Sequence, residues 1–205
     1  MARANVNIRP AVFPNDKEIV GQLFLAYAQS LPVSLDFQNF EHELAGLPGK
    51  YAVEKGGAVW LAYASSKSSE LPSSTTSSAQ NGEAQPEPRP GEEERAVGCI
   101  AIRPFFTTPT TAESSALLAN STSSSTTTCE LKRLFLTPES RGLGVSKLLM
   151  DVAIAQAKKL GYKEMLLDTL RTMTPARKLY EGFGFEEVGS YYENPNDAVF
   201  YRLVL

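Results

Sequence analysis

The chain has 205 residues, 42% of them apolar, and a formal charge of −3. That length and apolar share suffice for one folded domain with its own core. No run of 18 apolar residues marks a membrane-spanning helix, the near-neutral balance offers no field for nucleic acid or an anionic membrane, and one histidine with two cysteines is too few for a zinc site.

The N-terminal stretch lacks an apolar core of signal-peptide length, so the expected location is the cytoplasm, with the nucleus left open. Asn5 to Val12 reads as a strand. Asn15 and Glu18 form a capping-box-like pattern ahead of Ile19, Val20, Leu23, Phe24, Tyr27 and Leu31, which recur at helical spacing. Asp36 is a candidate cap for a second helix carrying Phe37, Phe40, Glu41 and Leu44, ended by Gly46 and Pro48. His42 lies on that helix with no second ligand near it in sequence. Ala58 to Ala64 reads as a strand, and so does Ala96 to Pro104. Cys99 and Cys129 fall in or beside predicted strands and read as buried, reduced thiols.

Residues 65–95 and 106–128 are rich in Ser and Thr, the first also in Pro and Glu. Neither segment can offset its ordering entropy by burial, so both are expected to be disordered insertions in a single domain spanning 1–205. The first holds six glutamates against three cations, so it accounts for the whole formal charge. Long insertions between strands add little closure entropy, and tolerated length variation is the plainer reading of both.

The most informative stretch is Glu130 to Leu149. An apolar strand-like run, Leu134, Phe135 and Leu136, enters a turn at Thr137, Pro138 and Glu139. Arg141, Gly142, Leu143, Gly144, Val145, Ser146 and Lys147 follow, and a helical pattern starts at once. A glycine-bearing strand-to-helix junction exposes backbone N–H groups at a helix N-terminus, where the dipole favours an anion, above all phosphate. The spacing fits neither a P-loop nor a dinucleotide fingerprint, because the lysine-serine pair of the first and the third glycine of the second are absent. The helix shows Val145, Leu148, Leu149, Val152, Ala153, Ala157 and Leu160 on one face and stops at Gly161. Lys163 to Thr169 reads as a buried strand. Thr174 and Pro175 open another helix, with Thr as N-cap. That helix carries Ala176, Leu179 and Tyr180 and ends at Gly182-Phe183-Gly184-Phe185. Ala198 to Leu205 is the last strand, with a further short one near Glu187.

Two motifs in this order carry a resemblance. Arg141, Gly144 and Ser146 occupy the three marked positions of motif A of the GNAT acetyltransferase superfamily: Gln or Arg, two residues, Gly, one residue, Gly or Ala. Ala176 to Phe185 is similar to that superfamily's run of Ala, Leu-Tyr and Gly-Phe. Ser146 departs from Gly or Ala, and Met173 stands where relatives often have an Asn that bonds pantetheine. The resemblance implies an α/β fold: a mixed, largely antiparallel sheet of six to seven strands, helices on both faces, and a splay between strands 4 and 5. It implies acetyl-CoA as co-substrate, no metal, and an amine acceptor that is a small molecule or a peptide. A homodimer is left open.

The resemblance also implies roles. The backbone of Leu134, Phe135 and Leu136 would pair with the pantetheine arm, and the amides from Arg141 to Lys147 would seat the diphosphate. Tyr180 falls where relatives place a general acid, and a phenol with a pKa of about 10 suits protonation of a departing thiolate. Glu130 and Asp168 fall where different relatives carry a general base, Glu130 slightly ahead. Glu130 could instead pair with Lys132 or Arg133, and Asp168 could cap a loop. Lys132 and Arg133, on opposite faces by strand alternation, could orient an acidic substrate. Tyr191, Tyr192 and Asn194 form an aromatic-polar loop that could border the acceptor pocket or pack beneath a turn. The rival reading is a catalytically silent acyl-CoA-binding or scaffold module, and a third makes the insertions the function and the fold a carrier.

Overall fold

The computed structural model describes residues 6–65, 94–106 and 127–205. Both predicted insertions fall almost wholly outside the described residues. Seven strands form one sheet: β1 (Val6–Pro10), β2 (Ala58–Ser65), β3 (Glu94–Pro104), β4 (Thr128–Leu136), β5 (Glu164–Leu170), β6 (Glu186–Val188) and β7 (Ala198–Val204). Their spatial order is β1-β2-β3-β4-β5-β7-β6. All neighbours are antiparallel except β4 and β5. The helices are α1 (Lys17–Ser30), α2 (Phe40–Ala45), α3 (Val145–Lys159) and α4 (Thr174–Gly182). The expected mixed sheet with helices on both faces is borne out, including the short strand near Glu187.

Two cores explain the two layers. Val145, Leu149, Met150, Ala153 and Ala157 of α3 are fully buried against Ile100, Ile102 and Leu131 on one face of the sheet. Val20, Leu23 and Phe24 of α1 pack with Phe40, Tyr51, Leu61 and Phe135 on the other. The crossover from β4 through α3 to β5 makes that pair parallel, as a helical crossover must. Gly161 and Tyr162 close α3 with a Schellman turn, their N–H groups donating to the Lys158 and Ala157 carbonyls. Among the described residues no helix is long and apolar enough to cross a membrane.

Three local expectations are corrected. Asn15 and Glu18 make no capping box. The N-cap is Asp16, whose carboxylate accepts from both terminal nitrogens of Arg9 at 2.7 and 2.8 Å and from the Val12 N–H. That ion pair to β1 outcompetes a local cap. Asp36 starts a single 3-10 turn, and Asn39, with φ +57°, then breaks the chain before α2. Thr174 is the first residue of α4 and Met173 its N-cap, so the threonine hydroxyl makes no cap bond.

Candidate active site

The site begins where β4 and β5 part. They pair only over Thr128–Glu130 against Glu164–Leu166, so from Leu131 onward β4 turns an unpaired backbone edge toward β5. Helix α3 starts just beyond β4. Gly142 and Gly144 both sit in the left-handed region, at φ +76° and +80°, which a side chain would strain. A Cβ at either would meet nothing within 4 Å, so the requirement is conformational and the surface above them is open. The first intrahelical bond is Lys147 N–H to the Gly144 carbonyl at 3.1 Å. The preceding amides therefore face outward, in the geometry that binds phosphate.

A cleft of about 670 Å³ runs from this junction across the splay to the segment joining α1 and α2. Leu134, Phe135, Leu136, Arg141, Gly142, Ser146 and Lys147 line it, as do Asp168, Tyr180, Lys132, Arg133 and Asn194. Leu143 is exposed outside the wall, Gly144 is the N-cap, and the Val145 side chain is sunk in the core, leaving only its amide for a ligand. The junction's paired positive-φ glycines, its outward amides and the bare edge of β4 fit a diphosphate with an extended amide-bearing arm.

Tyr180 is 6% exposed and its ring packs on Phe185 and Tyr201. Burial, reinforced by the nearby Tyr27 and Asp168, pushes its phenol above the ordinary value, so it stays protonated. Asp168 is pulled both ways. Burial raises its carboxyl, but the Lys132 ammonium and hydrogen bonds from Tyr192 and Lys132 outweigh that, and the net position lies below the ordinary range. Lys132 Nζ donates to Asp168 Oδ1 at 3.1 Å and to Glu130 Oε1 at 3.5 Å. Asn194 Nδ2 donates to the other Asp168 oxygen at 3.2 Å.

Glu130 is 1% exposed and does not reach the cleft wall. Its Oε2 accepts from Arg103 Nε and Nη2 at 2.9 and 2.7 Å, and its Oε1 from the Tyr191 hydroxyl at 3.3 Å. Tyr191 and Tyr192 also stand behind the wall, stacked edge-on against Phe200. Of that loop only the Asn194 side chain, with Asn196, comes forward.

Alternation along β4 fails where it pairs with β3. Cys99 pairs with Phe135 and Ala101 with Lys132, so Ile100 alone opposes Arg133 and Leu134: a β-bulge, with Arg133 at φ +59°. The extra residue puts Lys132 and Arg133 on the same side, that of α1 and α2, rather than on opposite faces. Arg133 is buried there: Nε donates to Glu43 Oε1 at 2.8 Å, Nη1 to Gln38 Oε1 at 3.2 Å, and the guanidinium lies over Phe40 and Tyr27. Arg133 thus pairs with Glu43, not Glu130. Arg103, Lys132 and Arg133 balance Glu43, Glu130 and Asp168, so this buried group is neutral.

Sequence reasoning missed Arg103, Glu43, Gln38 and Tyr27. Tyr27 and Glu43 were hidden in helical patterns. The signal available was Arg103 itself, a cation closing an apolar strand, opposite a β4 that also carries charge.

Comparison with known proteins follows the same lines. The Acetyltransferase (GNAT) family matches residues 80–185. An uncharacterized N-acetyltransferase of Schizosaccharomyces pombe is 31% identical over 201 residues, covering 98% of this chain and 95% of its own. A GNAT-family acetyltransferase from Staphylococcus aureus superposes with a TM-score of 0.61 at 18% identity, over 97% of this chain and 98% of that one. An acetyltransferase from Salmonella typhimurium, solved with acetyl-CoA, superposes with a TM-score of 0.57 at 15% identity, over 98% and 94%. With a splayed sheet, a glycine-set helix start and a full-length relative at that identity, this chain belongs to the GNAT family of acetyltransferases.

Proposed function

We propose that this chain moves the acetyl group of acetyl-CoA to an amine by direct attack. When bound, the co-substrate supplies a thioester whose carbonyl carbon is the electrophile. The amides from Gly142 to Lys147 hold the diphosphate, with the Arg141 and Lys147 side chains beside it. The open backbone of Leu134, Phe135 and Leu136 pairs with the extended arm and directs its sulfur toward Tyr180. Asp168 takes the proton of the incoming ammonium, directly or through one water, and Tyr180 gives a proton to the leaving sulfur. The C–N bond forms as the C–S bond breaks; the second proton of the nitrogen returns, directly or through water, to the Tyr180 oxygen that has protonated the sulfur, so CoA leaves as the thiol and the one net proton stays on Asp168. Glu130, clamped by Arg103, acts through Lys132 and sets the position of Asp168; its burial away from the cleft argues against the base role.

The observation that carries this reading is that Tyr180 and Asp168 line one cleft whose far end is the glycine-set start of α3. Calorimetry with CoA tests the first half, and release of free CoA thiol from acetyl-CoA over an amine panel tests the second. Asp168→Asn and Tyr180→Phe should each slow transfer while leaving CoA affinity in place. CoA binding with no transfer to any amine, untouched by Tyr180→Phe, would favour a silent binding module instead. No heat with CoA would refute the whole reading.

A further inference from the structure

The side chain of Arg133 is 1% exposed, yet among the described residues its Nη2 atom has no hydrogen-bond partner. Nε and Nη1 are held by Glu43 and Gln38, so the guanidinium cannot swing away to find one. The Tyr27 hydroxyl stands near it without a well-formed bond. A buried, unpaired donor on a cation is costly, and native structures keep such groups rarely and for a reason. Arg133 also lines the cleft, beside Lys132 and opposite the apolar wall of Leu31, Val33, Leu35 and Phe37. The bulge at φ +59° is what places it there, so backbone strain and an unpaired donor occur in one residue.

We infer that the acceptor is a free apolar amino acid whose carboxylate, on entry, uncovers and accepts from Arg133 Nη2, an atom without accessible surface in the free protein, and whose amine is presented to Asp168. This rests on the transferase reading above and names the amine class for it. Charge decides between acceptors. The buried group is already neutral, and Lys132 already bridges two carboxylates. A zwitterion adds no net charge and meets an anion and a cation in one wall. A polyamine would bring surplus positive charge into the same space with only Asp168 to answer it. The apolar wall holds the side chain.

The test uses matched triples: phenylalanine, phenylalaninamide and phenethylamine, then leucine, leucinamide and isoamylamine, each with acetyl-CoA. A hydrogen bond to a charged partner predicts a kcat/KM about 10- to 100-fold higher for the amino acid than for either analogue. The difference should lie mainly in KM. In Arg133→Lys, which keeps a cation beside Glu43, the amino-acid advantage should shrink toward one. Calorimetry of the same triples on the CoA-saturated protein gives a readout free of turnover and should rank them alike. Equal or better transfer to phenethylamine or the amides would overturn the carboxylate assignment and leave the transferase reading standing. No transfer to any amine, with CoA bound, would sink both. The wild-type comparison needs no variant, so misfolding of Arg133→Lys cannot shelter the claim.

Discussion

Lys132 is the member of the buried group whose loss is most revealing. It is 6% exposed and spans Glu130, at 1%, and Asp168, at 11%. Lys132→Met keeps much of the stem and deletes the ammonium. Removing one member of a buried pair costs about 3–5 kcal/mol, because a charge is left uncompensated. Glu130 retains Arg103 at 2.7 Å, so only Asp168 loses its cation and the lower figure, about 3 kcal/mol, applies. For a chain of this size that is a fall in Tm of about 6–12 °C near pH 7. The pH dependence carries the diagnosis. In the wild type burial raises the Asp168 carboxyl and Lys132 more than reverses it, so its native value is depressed. That stability is complete above the unfolded value of about 3.9 and is lost as pH falls through the lower native one. Without the ammonium, burial is opposed only by the Tyr192 hydrogen bond and the Arg133 charge, so the native value should rise. The cost is then largest at neutral pH and fades as acid protonates Asp168. Urea melts of both proteins at pH 5, 6, 7 and 8 should show curves that converge toward pH 5. A gap that is the same at pH 5 and pH 8, or below about 1 kcal/mol throughout, would refute the coupling of Lys132 to a desolvated Asp168.

Four further outcomes follow from the same geometry. Lys132→Met/Asp168→Leu should recover most of the stability lost in the single variant, since an apolar pair can replace a buried ion pair at little cost, while transfer is slowed as in Asp168→Asn; urea midpoints and CoA release check this. Tyr180→Phe preserves the ring packing on Phe185 and Tyr201 and should lower kcat by about 100-fold, with little change in KM for acetyl-CoA. Gly144→Ala meets no steric neighbour but forces a side chain to φ +80°, so it should cost about 1–2 kcal/mol of stability and weaken CoA binding in calorimetry. Cys99 and Cys129 are fully buried, burial pushes each thiol up to about 12, and neither should react with a disulfide reagent until the chain unfolds.

Much of this was legible in the residues. Apolar periodicity located α1, α3, α4 and the longer strands, and Gly161 and Gly182 marked where α3 and α4 stop. The proposed phosphate seat was legible because Gly142 and Gly144 stand directly before a helix, a local feature needing no tertiary knowledge. The caps were not. Asp16 had a better partner in Arg9, seven positions back and on another element, and no local rule weighs that competition. Nor could alternation see the bulge, which arises from the pairing of β3 with β4 and moves Arg133 to the side of its neighbour.

The same limit explains why the sequence put Glu130 slightly ahead of Asp168 as the base and why we propose the reverse. Glu130 and Asp168 are both strand carboxylates beside a cation, and which faces the cleft depends on where β4 and β5 stop pairing. They part after Glu130 and Leu166. Glu130 lies within the paired stretch, where Arg103 from β3 reaches it. Asp168 lies two residues past the fork, where the opening begins. The carboxylate before the fork, Glu130, is enclosed by its neighbours; the one beyond it, Asp168, lines the cleft. The placement of the fork is therefore what separates the two roles we propose, and moving it is a sharper control on that chemistry than changing either acid.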